Sequence, residues 1–160
     1  MAETALLFEP LEVRGRCLRN RIVMPPMVVN RGIDTPEGIA WYGEHARGGP
    51  GLVIVEATSV AGFASRYTAD GLRPLATAIQ EAGALAAIQL FPGTRGQRIA
   101  PVEMERSAIQ ALVDEYAEAA RICSEAGFDG IEVHGAHGFL LNQFFSPTQN
   151  TRTDAYGATL

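Results

Sequence analysis

Two imidazoles three residues apart, His134 and His137, follow the short run Gly130-Ile131-Glu132-Val133, with only Gly135 and Ala136 between them. Strand alternation puts Ile131 and Val133 on one face and Glu132 and His134 on the other. With the apolar pair against a helix layer, Glu132 and His134 point into an interior. His137, on the turn just beyond, can then converge with His134 on one ligand. Neutral imidazoles donate hydrogen bonds to a carbonyl or an anionic ring, which suits polarising an electrophile. A single histidine at a strand end is usually structural, but two separated by small residues favour function. H-x-x-H can also hold zinc, yet only three histidines occur, and His45 falls on a separate helix among polar residues. The reading carries no metal.

Alternating strands and helices must position this pair. A β-hairpin is expected over Leu11–Val13 and Cys17–Leu18, turned at Arg14-Gly15-Arg16, and then a strand over 21–24 stopped by Pro25-Pro26. Thr35-Pro36-Glu37 is a helix start, with a capping hydroxyl, proline at the first helical position and an acid in the first turn. That helix runs through Ile39, Tyr42 and Ala46 to Gly48-Gly49-Pro50. Residues 51–56 form a continuous apolar run ending in Glu56, the pattern of a strand covered on both faces. The unit repeats as a helix through Leu72, Leu75, Ala76 and Ile79, then a strand over 85–90. It repeats again as a helix with Ile109, Leu112, Val113, Tyr116, Ala119, Ala120 and Cys123 on one face, then the strand over 130–134. Three such crossovers predict parallel α/β architecture. The first strand ends in Met24-Pro25-Pro26-Met27, which cannot form the glycine-rich phosphate loop of an open nucleotide-binding sheet. Glu56, Gln89 and His134 are polar residues near the C-terminal ends of three strands, where a (β/α) barrel gathers its catalytic groups. The expected fold is the TIM-barrel type, as about four βα units of one domain over 1–160, with an N-terminal hairpin.

Composition narrows the function classes. Apolar residues make up 47% and charged residues 19% of the 160, a globular balance, and the net charge is −5. That charge argues against a nucleic-acid surface and against a basic membrane-surface helix. No apolar run reaches the roughly eighteen residues of a membrane span, and the N-terminus lacks a leader pattern, so the expectation is a cytoplasmic protein. Cys17 and Cys123 are too few and scattered for a disulfide framework and read as structural. All 13 basic residues are arginine, which removes lysine Schiff-base and P-loop chemistry.

The segment His134-Gly135-Ala136-His137-Gly138-Phe139-Leu140-Leu141-Asn142-Gln143-Phe144-Phe145-Ser146-Pro147, continuing as Asn150-Thr151-Arg152-Thr153-Asp154-Ala155-Tyr156-Gly157, resembles the old yellow enzyme family, FMN-dependent, NAD(P)H-oxidising ene-reductases. Further motifs agree, in the family's order. They are Leu7-Phe8-Glu9-Pro10, Asn20-Arg21-Ile22-Val23-Met24 with Pro26-Met27, Gly48-Gly49 with Gly51 to Ala57, Gln89-Leu90, and Ala126 to Gly130. The resemblance spans the N-terminal half of the family's (β/α)8 barrel.

The resemblance implies roles. Pro26, Met27 and Val28 would pack on FMN, the backbone of Ala57 would approach it, and the Gln89 amide would bond its pyrimidine edge. His134 and His137 would bind the oxygen of an α,β-unsaturated substrate, so that hydride from the flavin adds at the β-carbon. Three departures accompany it. Phe139 replaces a proton-donating tyrosine. Val28 replaces a cysteine or threonine. Pro92-Gly93-Thr94-Arg95 replaces a histidine-bearing stretch, with a short connection to Pro101. The family's FMN phosphate site lies after strands seven and eight, so a half barrel is expected to form a homo-oligomer or to pair with a complementing C-terminal half. The alternative function is a non-catalytic half-barrel module, and a metal-dependent hydrolase is a third.

Overall fold

The computed structural model describes residues 2–93 and 100–157. After a helical turn α1 (Ala2–Ala5) and a 3-10 turn over Leu6–Phe8, strands β1 (Leu11–Val13) and β2 (Arg16–Leu18) pair antiparallel. The turn between them is tighter than expected. Only Arg14 and Gly15 lie outside the strands, and both carry positive φ, 46° and 77°, the pattern of a two-residue type I′ hairpin.

Four strands then run parallel in chain order: β3 (Val23–Met24), β4 (Leu52–Ser59), β5 (Leu85–Phe91) and β6 (Gly130–Val133). The helices between them are α2 (Pro36–Arg47), the short α3 (Phe63–Arg66) with α4 (Ala69–Glu81), and α5 (Arg106–Ala126). All three predicted crossovers are present. Thr35 caps α2 by accepting the Gly38 N–H at 3.1 Å, and Thr68 caps α4 through the Gly71 N–H at 3.1 Å. Gly127, at φ 99°, ends α5. Val53, Val55, Ala86, Ile88 and Leu90 form the buried face under Tyr42, Leu72, Leu75, Ile79, Ala119 and Cys123.

Several expectations are corrected. Only Val23 and Met24 of the 21–24 run pair with β4: Ile22 is instead bonded to Asn20 and to Gly51 ahead of β4, and Pro25 and Pro26 cannot donate onward. α4 begins three residues before Leu72 and carries Pro74 inside it, and α3 was not expected. On α5, Val113 is half exposed while Ile122 is buried. A 100° step per residue carries Val113 off the stripe that Ile109, Ala119, Ile122 and Ala126 share. Ile131 and Val133 take the same face as Ile88 and Leu90 by register, yet stay 36% and 54% exposed on an outermost strand.

Polar latches set the connections. Asn20 donates to the Gly49 carbonyl at 2.8 Å and accepts the Ile22 N–H at 3.0 Å. Arg19 donates to the Ala46 and Pro50 carbonyls. A Cβ on Gly51 would lie 2.2 Å from the Asn20 carbonyl oxygen, so this junction needs glycine. Near the other end, Arg152 pairs with Asp154 and donates to the Pro101 and Met104 carbonyls. The Arg152 and Arg106 guanidiniums hold the Asp154 carboxyl well below the usual range.

Asp129 is the central latch at the foot of the sheet. Its Oδ2 accepts the Ala86 N–H at 3.0 Å and the Gln80 amide at 2.9 Å, and Arg16 lies 3.3 Å from Oδ1. Asp129→Ala leaves the buried Ala86 N–H without its side-chain acceptor and is expected to cost about 2 kcal/mol in urea unfolding. Arg16→Ala, at a mostly exposed partner, is expected to cost under about 1 kcal/mol; equal losses would contradict this account.

Candidate active site

The parallel strands place their C-terminal ends on one side, and a cavity of about 1530 Å³ opens there. Every residue singled out from sequence lines it: Pro26, Met27, Val28, Ala57, Gln89, His134 and His137. Thr94 and Arg95 lie outside the described residues.

Each strand delivers its side chains differently. The pairing of β4 with β5 slips by one residue between Val55 and Thr58, a β-bulge. Around this slip the consecutive residues Glu56, Ala57, Thr58 and Ser59 all line the cavity, which strict alternation forbids. Glu56 Oε2 accepts the Val29 N–H at 2.5 Å, and its own N–H donates to the Tyr42 hydroxyl at 2.9 Å. The Glu56 carboxylate thus holds the loop that carries Pro26, Met27 and Val28, and buried Tyr42 ties that point to α2. Burial pushes the Tyr42 phenol far above its ordinary pKa, so it stays neutral. On β5 and β6, Gln89 and Glu132 are register partners, and Gln89 Nε2 donates to Glu132 Oε1 at 2.5 Å.

His134 follows β6 directly. Its N–H donates to the Leu90 carbonyl at 2.9 Å, and the Ala136 N–H donates to its Nδ1 at 3.3 Å. With Nδ1 in this accepting role, the neutral ring carries its proton on Nε2. Nε2 has no partner among the described residues. Burial, with the neighbouring His137, lowers the His134 pKa, against opposing pulls from Glu132 and from its own backbone.

His137 sits at φ 58° on an exposed turn with Gly138 at φ 70°. Asn142 accepts the Gly138 N–H and Gln143 donates to the Gly138 carbonyl, both from α6 (Leu140–Phe145). The two imidazole centroids are 5.2 Å apart at 79°. Phe139 stands edge-on to His134 at 4.8 Å and lies 6.0 Å from Phe91. Among the described residues no three His, Cys, Asp or Glu side chains converge as metal ligands. Arg66 is the single cation among the described lining residues, and its Nη2 is taken by the Ser59 and Ala61 carbonyls.

Comparison with known proteins decides the family. The model of the NADH:flavin oxidoreductase / NADH oxidase family matches residues 6–100 and 94–160. The chain belongs to that family. An NADPH dehydrogenase of Geobacillus sp. (strain WCH70) is 40% identical over 96% of this chain and 55% of its own length. The crystal structure of old yellow enzyme from Pichia sp. AKU4542 superposes with a TM-score of 0.81 at 26% identity, over 96% of this chain and 52% of that one. A mutant of morphinone reductase in complex with tetrahydroNAD gives 0.80 at 27%, over 96% and 55%. The chain spans about half the length of the curated relatives it matches. Those neighbours are barrels of the type predicted, and the four parallel strands form about half of one. No helix among the described residues is long and apolar enough to cross a membrane.

Tyr42, Asn142 and Gln143 hold this family member's cavity and were not singled out as site residues from sequence, whereas Glu56 was placed at the C-terminal end of its strand but given no role. The Asn142-Gln143 amides, four and five residues past a glycine turn, were the available signal. The bulge that makes Glu56 matter left none.

Because its folded pKa is depressed, His134 contributes stability that is complete above its unfolded value of about 6.5 and is lost as pH falls through the folded value. The His134 ring resonances are expected to titrate below pH 6.5 in NMR. A midpoint above that contradicts the burial argument.

Proposed function

We propose that this chain is the flavin-facing half of an FMN-dependent NAD(P)H oxidoreductase acting on activated C=C bonds. The observation that carries it is the joint opening of the Gln89 amide, the His134–His137 pair and an apolar wall into one cavity. At about 1530 Å³ the cavity exceeds the roughly 300–1,000 Å³ typical of small-ligand pockets, which leaves room for a ring system with a second molecule stacked on it. The residues fit the cofactor. Gln89 Oε1 has no partner among the described residues and can accept from a ring N–H, while Pro26, Met27 and Val28 offer apolar surface to a flat face. Ala57, with only a methyl side chain, permits close backbone approach.

Bound FMN, reduced by NAD(P)H, would supply the hydride for the β-carbon of an α,β-unsaturated substrate. His134 donates through Nε2–H to the substrate's carbonyl or nitro oxygen, and His137, from its left-handed turn, reaches the same oxygen. Two ring N–H donors stabilise the negative charge that gathers there. Phe139 packs against His134 and carries no proton to give, so protonation of the α-carbon falls to solvent or another group.

The purified chain is expected to take up FMN with absorbance near 450 nm, and a phenolic ligand is expected to perturb that band. His134→Ala should weaken phenol binding by about 1.5–3 kcal/mol. Protein that takes up no FMN refutes the reading, and unchanged phenol titration refutes the role of His134.

A second reading, a non-catalytic half-barrel module, is favoured by the exposed apolar residues on both outermost strands, Val23 on β3 and Ile131 and Val133 on β6. Such edges would pair with a second copy of the chain or with a complementing half. Light scattering on the purified chain should then give a dimer or larger species; a soluble, well-folded monomer counts against it.

A further inference from the structure

We propose that Glu132 is a positioning residue that fixes which way the Gln89 amide faces, and thereby makes the cavity selective for a ring edge bearing an N–H between two carbonyls. This deepens the flavin reading and rests on it.

A primary amide has two faces that differ chemically, an acceptor oxygen and a two-proton donor, and rotation by 180° about its last bond exchanges them at little cost. Without a neighbour to decide, Gln89 could offer the cavity either one. Glu132 decides. It stands opposite Gln89 in the parallel register, on the strand face that looks into the cavity, and its Oε1 lies 2.5 Å from Gln89 Nε2. A carboxylate only accepts, so the reverse orientation would set oxygen against oxygen. The donor nitrogen is therefore spent on Glu132 through one proton. Oε1 and the second Nε2 proton remain, with no other partner among the described residues.

An acceptor beside a donor complements an imide edge, in which a ring N–H is flanked by a carbonyl. The N–H donates to Oε1 and the carbonyl accepts from Nε2. The flavin pyrimidine has that edge at N3 and its adjacent carbonyls. An edge methylated on that nitrogen would leave Oε1 without its donor, and leaving a desolvated acceptor unpaired is the larger penalty. Both strands are held at this point by ladder bonds, including His134 N–H to the Leu90 carbonyl at 2.9 Å, so the pair cannot drift apart to evade the choice.

Two measurements test this. In the wild-type chain without ligand, one Gln89 side-chain amide proton is expected to be shifted and slow to exchange by NMR, and to return to the free-amide position in Glu132→Ala. An unshifted, rapidly exchanging amide in the wild type overturns the lock. Flavin fluorescence quenching then compares FMN with its N3-methyl derivative. Wild type should bind FMN about tenfold more tightly than the N3-methyl form. In Glu132→Gln, whose amide can donate as well as accept, Gln89 is free to turn over, and the preference should shrink to about twofold or less. A preference unchanged in Glu132→Gln overturns the selectivity. If the wild type quenches neither flavin, the flavin reading fails together with the ligand half of this proposal, while the amide exchange still judges the lock by itself.

Discussion

Parallel strands can be joined only by crossovers, and a crossover that packs back on its sheet leaves every strand pointing the same way. In this chain that constraint brings together residues up to 111 positions apart, from Pro26 to His137, at one edge of one sheet. The helices bury Val53, Val55, Ile88 and Leu90 from one side. The opposite face is then left to side chains such as Gln89 and Glu132, which are polar because they look into a cavity. Polar groups there must satisfy each other or wait for a ligand.

The two ends of the sheet divide labour accordingly. At the foot, Asp129, Asn20, Arg19 and Gly51 close junctions with complete hydrogen bonds and tolerate little change. At the C-terminal edge, bonds are made selectively. Glu56 is spent on the Val29 N–H, His134 Nδ1 on Ala136, and one Gln89 proton on Glu132. What is left over, the His134 Nε2 proton and the Gln89 oxygen, is the cavity's chemical offer. A cavity built this way is defined as much by which groups have been occupied as by which are present.

Motifs that look functional in a sequence turn out to serve both ends. The Asn150 to Asp154 run fastens its segment to the start of α5: Asn150 donates to the Phe144 and Tyr156 carbonyls, and Arg152 bridges Pro101 and Met104. Asn142 and Gln143 hold the turn on which His137 adopts a positive φ. Histidine tolerates that region better than most residues, but the turn needs the two amides to keep it there.

Local rules were enough to read much of this from the chain. Hydrophobic runs of strand length between amphipathic helices, Thr35 and Thr68 ahead of helices, and glycine after them are signals carried by neighbouring residues, and they gave the parallel α/β order and the His134–His137 pair. The dense motifs gave the family and the candidate residues, all of which line one cavity. Tertiary structure decided what depends on two segments at once. The β4 bulge that turns Glu56 and Ala57 together into the cavity is a register slip against β5, invisible in either strand alone. The exposure of Ile131 and Val133 depends on what covers β6, not on their own apolar character. The proton on His134 Nε2 and the facing of the Gln89 amide are set by single hydrogen bonds, from Ala136 and to Glu132. Residue types supply the possible donors and acceptors, but only their placement determines which remain free.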